Sequence, residues 1–110
     1  MLITIDADEM AIDLKHDDLT VMDVRKATEF DNGHLEDAKN VVLQNFHNDL
    51  TSCGIDKNEN IYVHCQGGYR SVIAASLLKR KGYNNLKNIA GGWNAMVKTE
   101  MPVVVESAAQ

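Results

Sequence analysis

The chain of 110 residues has the length of one compact domain, and 45% of its residues are hydrophobic. This apolar content excludes a disordered chain, and no apolar run approaches the roughly 18 residues that a membrane-spanning helix needs. Acidic residues outnumber basic ones by 16 to 11, and the formal net charge is -5. Proteins that bind nucleic acids or membrane surfaces normally present a basic face, so the charge disfavours both kinds of partner.

The N-terminal residues, the cysteines and the histidines bear on compartment and metal content. Residues 1–10 contain neither the basic cluster nor the apolar stretch of a secretory signal, so secretion is not expected. Cys53 and Cys65 lie in unlike contexts and do not form a disulfide framework. The four histidines lack the close spacing to a cysteine or a second histidine that zinc sites show. We therefore expect a metal-free protein of the reducing cytoplasm.

Short β-branched runs alternate with helical patterns along the chain. We predict strands over 2–5, 20–24, 40–43, 60–64 and 86–89, and an extended edge strand over 102–105. Helical patterns follow residue 6 and occupy positions around 28–30, 46–50, 71–81 and 93–97. Strands that alternate with helices predict an α/β fold, a parallel sheet with helices on both faces. We expect one domain over residues 1–105 and a C-terminal tail over 106–110.

The segment after the fourth strand combines a cysteine, a glycine pair and an arginine. It comprises Cys65, Gln66, Gly67, Gly68, Tyr69, Arg70 and Ser71, and the clearest helix follows it. In a parallel sheet, ligands bind beyond the carboxyl ends of the strands, where this loop lies. A loop curled at the glycine pair can point its amide N–H groups at one centre, and the helix start adds further donors. These donors and Arg70 favour the thiolate, so the pKa of Cys65 should lie well below about 8.5.

A lone cysteine at a strand end is more often a small core residue than a nucleophile. The glycine pair, the arginine and the helix start together favour the functional interpretation, a nucleophile inside an anion-binding loop. We expect Gly67 and Gly68 both to matter, because a Cβ would obstruct either positive φ angles or the approach of a ligand.

Three ordered motifs resemble those of the rhodanese (sulfurtransferase) family and together cover nearly the whole chain. They are Asp23-Val24-Arg25 with Glu29-Phe30, Gly33-His34 and Ala38-Lys39-Asn40, then the loop His64 to Ser71, and then Gly82-Tyr83 through Gly91-Gly92-Trp93. The resemblance implies an α/β domain around a central parallel sheet of five strands. It also implies that Cys65 takes a sulfane sulfur from a donor, becomes a persulfide and passes the sulfur to a thiophilic acceptor.

The resemblance further implies the partners of such a reaction. The donor would be thiosulfate or a persulfide, the acceptor a thiol, cyanide or a protein, and no metal or organic cofactor would be required. Gln66 departs from the family pattern, because many relatives carry a basic residue directly after the catalytic cysteine. The neutral Gln66 and the acidic chain both disfavour dianionic thiosulfate, so we expect a persulfide or a protein donor.

Two other functions would use similar residues. Cysteine-dependent phosphatases of related fold also place a cysteine and an arginine around a backbone cradle, but in a loop longer than the four residues between Cys65 and Arg70. The tighter loop leaves less room for a phosphate and disfavours a phosphatase. A sulfur-carrier or docking module with little turnover would need the same cradle, and the sequence does not separate it from an enzyme.

Arg25 and Asp23 follow the second strand and are candidate supporting residues at the same sheet edge. Arg25 is either a ligand of the donor anion or, as we favour, the ion-pair partner of Glu29 or Asp23. For Asp23 we favour the capping of nearby backbone N–H groups over acid–base chemistry.

Other reactive or aromatic residues have mainly structural interpretations. His64 directly precedes Cys65, so its side chain points to the opposite side of the strand, and we expect His64 and His34 to be scaffold residues. Cys53 is interpreted as an ordinary thiol. Tyr69 and Trp93 either shape the mouth of the pocket or pack in the core.

Overall fold

Five parallel strands form the central sheet in the computed structural model, which describes residues 2–106. The strands of this sheet are β1 (Ile3–Ile5), β2 (Thr20–Asp23), β4 (Lys39–Asn40), β5 (Ile61–His64) and β6 (Leu86–Ile89). Their order across the sheet is β1-β6-β5-β2-β4, and every neighbouring pair is parallel. The predicted α/β fold with a five-stranded parallel sheet is therefore confirmed.

Helices cover both faces of this sheet. They are α1 (Ala7–His16), α2 (Ala27–Asp31), α3 (Phe46–Ser52), α4 (Arg70–Arg80) and α5 (Gly92–Met96). One apolar core joins α3 and α4 to the sheet through residues such as Phe46, Val63 and Leu78. A second core joins α1 and α5 to the opposite face through residues such as Met10 and Met96. Because apolar strand residues are buried on both faces, the central strand β5 is apolar in nearly every position and buried throughout.

The segment after β4 corrects the predicted third strand. The strand ends at Asn40 instead of extending over 40–43, and a 3-10 turn begins at Leu43. Val41 is nevertheless fully buried, and its amide donates to the carbonyl oxygen of Asp23 at 2.9 Å. The β-branched pair Val41-Val42 thus marks chain packed against the sheet rather than a continued strand.

A second, two-stranded sheet holds the end of the described chain. The strands β3 (His34–Leu35) and β7 (Val103–Val104) pair in antiparallel fashion. The extended segment predicted over 102–105 is therefore not an edge of the main sheet. The partner strand has only two residues, too short for a sequence periodicity to indicate. Residues 107–110 of the predicted tail lie outside the described residues.

Within residues 2–106, no helix has the length and apolar character needed to cross a membrane.

Candidate active site

Cys65 lies at the carboxyl edge of the sheet, directly after β5, and α4 begins five residues later at Arg70. Asp23 and Arg25 follow the neighbouring strand β2 and reach the same edge. The parallel arrangement therefore brings the predicted loop and both supporting residues together, as expected for a ligand site beyond the carboxyl ends of parallel strands.

The sulfur of Cys65 accepts hydrogen bonds from the backbone that follows it. The amide of Gly68 donates to Sγ at 3.1 Å, and the backbone amides of Arg70 and Ser71 also favour the charged form of the sulfur. Arg70 and Ser71 belong to the first turn of α4, whose N–H groups have no partner within the helix. Tyr69 at the N-cap makes no side-chain capping bond, so the sulfur takes the place of a capping oxygen.

Burial and hydrogen bonding act on the thiol in opposite directions. Cys65 is only 1% exposed and packs in the same apolar core as Val63 and Ala74. This burial raises the pKa of Cys65, but hydrogen bonds that the thiolate form can accept from the Ser71 hydroxyl and from the backbone amides of Ser71, Gly68 and Arg70 outweigh it. The net shift lowers the pKa below its ordinary value, in the direction that the sequence predicted.

The first turn of α5 donates hydrogen bonds to carbonyl oxygens of the loop. The amide of Trp93 donates to the carbonyl oxygen of Cys65 at 2.7 Å, and that of Asn94 donates to the carbonyl oxygen of Gln66 at 3.0 Å. A Cβ on Gly92 would lie 2.4 Å from the Cys65 oxygen, so only glycine permits this approach. In a trans peptide the N–H group opposes the C=O group, so the amides of Gln66 and Gly67 point away from α5.

The two loop glycines are not equivalent. Gly68 has a φ of +100°, a conformation that side chains rarely adopt, and a Cβ there would lie 3.3 Å from the Gly91 nitrogen. Gly67 has no positive φ, and a Cβ there would meet no heavy atom within 4 Å. The predicted need for a positive φ is therefore confirmed at Gly68 and wrong at Gly67. At Gly67 the approach of a ligand is the one predicted reason for glycine that is left.

Arg70 is engaged by a carboxylate, which changes the charge expected around the sulfur. Its Nη1 and Nη2 donate to the two oxygens of Glu29 at 2.7 and 3.0 Å. The hydrogen bond from Arg70 lowers the pKa of Glu29 to about 2, against the opposing effect of partial burial. The sequence predicted a full positive charge from Arg70 beside the thiolate, but the guanidinium is largely neutralised by Glu29.

Among residues 2–106, Arg25 is the largest fully buried side chain, and it joins the loop after Cys65 to the rest of the sheet edge. Its guanidinium donates to Asp23, to the carbonyl oxygen of Gly33 at 2.7 Å and to Gln66 Oε1 at 3.1 Å, and it lies 4.6 Å from the ring centroid of Trp93. Asp23 also accepts from the Arg25 amide at 3.1 Å. Pairing with Asp23 rather than Glu29, and backbone capping by Asp23, agree with the favoured interpretations.

The histidines have the positions expected of scaffold residues. The side chain of His64 lies on the face of the sheet opposite to that of Cys65. Its ring is 6.0 Å from that of Trp93, and its Nε2 is 3.5 Å from Asp23 Oδ2. Burial lowers the pKa of His64, against the opposing effect of Asp23, and thus favours the neutral ring. His34 stacks on Phe30 and bonds to its carbonyl oxygen at 2.7 Å.

The remaining candidate residues differ in how far they are exposed to solvent. Tyr69 is 79% exposed at the loop, whereas Trp93 is buried against the core on the α1 and α5 face. Cys53 is half-buried in another part of the fold, and its thiol donates to the Leu50 carbonyl oxygen at 3.2 Å. Among residues 2–106, no group of three or more histidine, cysteine or acidic side chains could hold a metal ion.

Sequence reasoning missed three polar residues around the loop. Glu29 was noted only as part of a motif and as a partner of Arg25, yet it binds Arg70. Asn94 accepts from Gln66 Nε2 at 2.7 Å, and Asn88 in β6 lies against Ser71. Their contacts span 17 to 41 residues, so no local spacing could have indicated them.

The different backbone conformations of Gly67 and Gly68 predict different outcomes for two alanine substitutions in the loop. Gly68→Ala places a side chain at a strained φ, so it should lower the free energy of unfolding by about 1–3 kcal/mol. The strain should also turn the Gly68 amide away from Sγ and slow the alkylation of Cys65 at pH 7. Chemical denaturation and timed iodoacetamide labelling measure the two effects.

Gly67→Ala is the matched control and should change the unfolding free energy by less than about 1 kcal/mol. Equal losses of stability in the two variants would show that the difference in backbone conformation has no energetic consequence.

Comparison with known proteins agrees with the motifs and the geometry. The family model of the rhodanese-like domain matches residues 6–99. The chain is 34% identical over 95 residues to thiosulfate sulfurtransferase 16, chloroplastic, of Arabidopsis thaliana, covering 74% of this chain and 76% of that protein. It is 31% identical to the uncharacterized protein YqhL of Bacillus subtilis, of which it spans 64% of the length.

A sulfur-carrier protein and a solved structure extend the comparison. The putative sulfur carrier protein YrkF of Bacillus subtilis is 26% identical over 82% of this chain, which spans only 47% of that protein. The crystal structure of a rhodanese-like domain protein from Staphylococcus aureus matches with a TM-score of 0.83 and 27% identity, covering 96% of this chain and 100% of that one. The chain therefore belongs to the family of rhodanese-like domains.

Proposed function

We propose that the protein is a sulfurtransferase in which Cys65 carries a sulfane sulfur as a persulfide. The observation that carries this proposal is the set of backbone donors converging on one sulfur, from Gly68 and from the first turn of α4. These donors are fixed by the fold, so they favour an anion without reorganising when the charge appears. The sulfurtransferase and sulfur-carrier names of relatives support the same class of chemistry.

The reaction divides into two displacements at sulfur. The Cys65 thiolate attacks the outer sulfur of the donor, the Sγ–S bond forms, and the donor's S–S bond breaks with its electron pair leaving on sulfite or a thiolate. The negative charge then lies on the terminal sulfur of Cys65-S-S⁻, within reach of the loop amides from Gln66 to Arg70. An acceptor attacks that terminal sulfur and Cys65 leaves as the thiolate. This is covalent, ping-pong catalysis that requires no metal or organic cofactor.

The charges at the site favour a persulfide donor over thiosulfate. Arg70 is paired with Glu29, and Arg25 is paired with Asp23 and buried. Neither arginine therefore offers an uncompensated charge to a dianion, and the neutral Gln66 adds none. An organic persulfide carries less charge at the reacting end, and its transfer depends mainly on the backbone donors.

The alternative roles differ in turnover and in substrate. As a sulfur carrier, the domain would load Cys65 and release the sulfur only to one protein partner. As a phosphatase, it would hydrolyse an aryl phosphate with Cys65 as the nucleophile. We favour the sulfurtransferase, acting as a single domain over residues 1–105 in a reducing cytoplasm where thiol acceptors are abundant.

Loading with sulfur is the direct test of the proposal. Intact-mass analysis after incubation with glutathione persulfide should show one added sulfur, mapped to Cys65 and removed by cyanide. Cys65→Ala should gain none there, whereas Cys53→Ser should load normally because Cys53 lies outside the site. Loading without turnover of glutathione persulfide would favour the carrier, and an unchanged mass with every sulfane donor would overturn both roles.

Releasing Arg70 from its carboxylate should shift the donor preference. Glu29→Gln removes the charge that neutralises Arg70, so kcat/KM for thiosulfate should rise about two- to fivefold relative to that for glutathione persulfide. Asp18→Asn makes the same change of net charge near the amino end of β2, away from the site, and should leave the ratio unchanged. An unaltered ratio in Glu29→Gln would show that the ion pair does not select the donor.

A further inference from the structure

Asn88 has a buried side-chain amide that contacts Ser71, the neighbour of the Cys65 sulfur, and it has no role in the reaction described above. It lies in β6 between β1 and β5, opposite Thr4 on one side and Val63 on the other. The residue is only 4% exposed, in a strand whose other buried side chains are apolar. A polar group costs free energy in such a place unless it is hydrogen-bonded, so its partners indicate why it is there.

The partners of Asn88 form a chain that ends at the sulfur. Asn88 Oδ1 accepts from the Ser71 hydroxyl at 2.5 Å, and Asn88 Nδ2 donates to Thr4 Oγ1 at 3.4 Å. Ser71 Oγ in turn lies 3.6 Å from Cys65 Sγ and accepts from its thiol. In this arrangement the hydrogens of the thiol and of the Ser71 hydroxyl both point away from the sulfur, which suits a protonated Cys65.

The arrangement has to change when Cys65 ionises. A thiolate can only accept, and the Ser71 hydroxyl carries a single hydrogen, so Ser71 cannot donate to the sulfur and to Asn88 Oδ1 together. If Ser71 turned to the sulfur while Asn88 kept its oxygen in place, two unprotonated oxygens would face each other at 2.5 Å. Rotation of the Asn88 amide by half a turn removes this conflict, because it brings Nδ2 to Ser71.

We propose that Asn88 is a positioning residue whose amide turns over when Cys65 loses its proton, so that Nδ2 donates to Ser71 Oγ and Ser71 donates to Cys65 Sγ. Thr4 suits both states, because its hydroxyl accepts from Nδ2 in one and donates to Oδ1 in the other. The released proton passes to solvent, and no covalent bond other than S–H changes. The proposal rests on the proposed role of Cys65 as the nucleophile.

In the persulfide state, the hydrogen-bond relay from Asn88 through Ser71 to Sγ and the loop amides act on different sulfur atoms. Once Cys65 carries the persulfide, the charge lies on the terminal sulfur and Sγ is neutral. When the acceptor attacks, Sγ becomes the leaving group and regains the charge. Donation from Ser71 to Sγ therefore assists formation of the thiolate before loading and departure of Cys65 during release.

The Asn88→Asp variant distinguishes this hydrogen-bond relay from a purely structural role of the buried Asn88 amide. The carboxylate has nearly the same shape but only accepts, so it retains the Ser71 hydrogen and withholds it from the sulfur. In a Cys53→Ser background, the pH dependence of alkylation should place the Cys65 pKa about one unit or more above that of the parent. At pH values below the pKa, this shift is about a tenfold slower alkylation. Asn85→Asp adds the same charge at the other end of β6 and should leave the pKa nearly unchanged.

A double-mutant cycle separates the relay from through-space charge repulsion. Ser71→Ala should itself raise the Cys65 pKa, and Asn88→Asp should then add much less than it does in the parent. An unchanged pKa in folded Asn88→Asp, or an equal increment with and without Ser71, would overturn the proposal.

A measurement on the Cys53→Ser parent does not depend on the stability of any core variant. The side-chain ¹⁵N resonance of Asn88 should follow the titration of Cys65 and stop doing so in Cys65→Ser. An Asn88 resonance that ignores the Cys65 titration would equally overturn the proposal. Failure of Cys65 to accept sulfur would instead overturn the proposed function, because neither the pKa nor the resonance depends on a sulfur donor.

Discussion

Two hydrogen bonds from the first turn of α5 to the carbonyl oxygens of Cys65 and Gln66 orient the loop that carries Cys65. They hold the carbonyl groups on the α5 side, and Gly92 permits the contact because it has no Cβ. The positive φ of Gly68 then brings its amide to the sulfur of Cys65. The N–H groups at the start of α4, which have no partner within the helix, favour the charged form of the same sulfur. These fixed donors favour the anionic form of a buried sulfur and oppose the cost of its desolvation.

The arginines contribute to this site mainly as structural residues. Arg25 joins β2, the Gly33 carbonyl and the Gln66 side chain in one buried network, and removing one partner of such a pair typically costs about 3–5 kcal/mol. Arg70 fastens the start of α4 to Glu29. The site therefore depends on backbone dipoles more than on net charge, in agreement with the persulfide donor that we propose.

The sequence was sufficient for features that depend on local pattern and insufficient for those that depend on distant contacts. Alternating strands and helices predicted the sheet, and the loop from Cys65 to Ser71 was placed at the correct edge because strand ends are locally marked. The pairing of Arg70 with Glu29 joins residues 41 positions apart, and β3 and β7 are too short to show a period. Val41 was assigned to a strand because burial and strand propensity favour the same residue types.

The central claim is that the fold keeps Cys65 ionised at a pH where an ordinary thiol is protonated. The most direct test is the rate of iodoacetamide alkylation of Cys65 against pH in Cys53→Ser, where Cys65 is the only cysteine. The rate follows the thiolate fraction and levels off above the pKa. The midpoint should lie below that of the same cysteine in the urea-unfolded chain. A midpoint at or above the unfolded value would contradict the account, since burial would then outweigh the backbone donors.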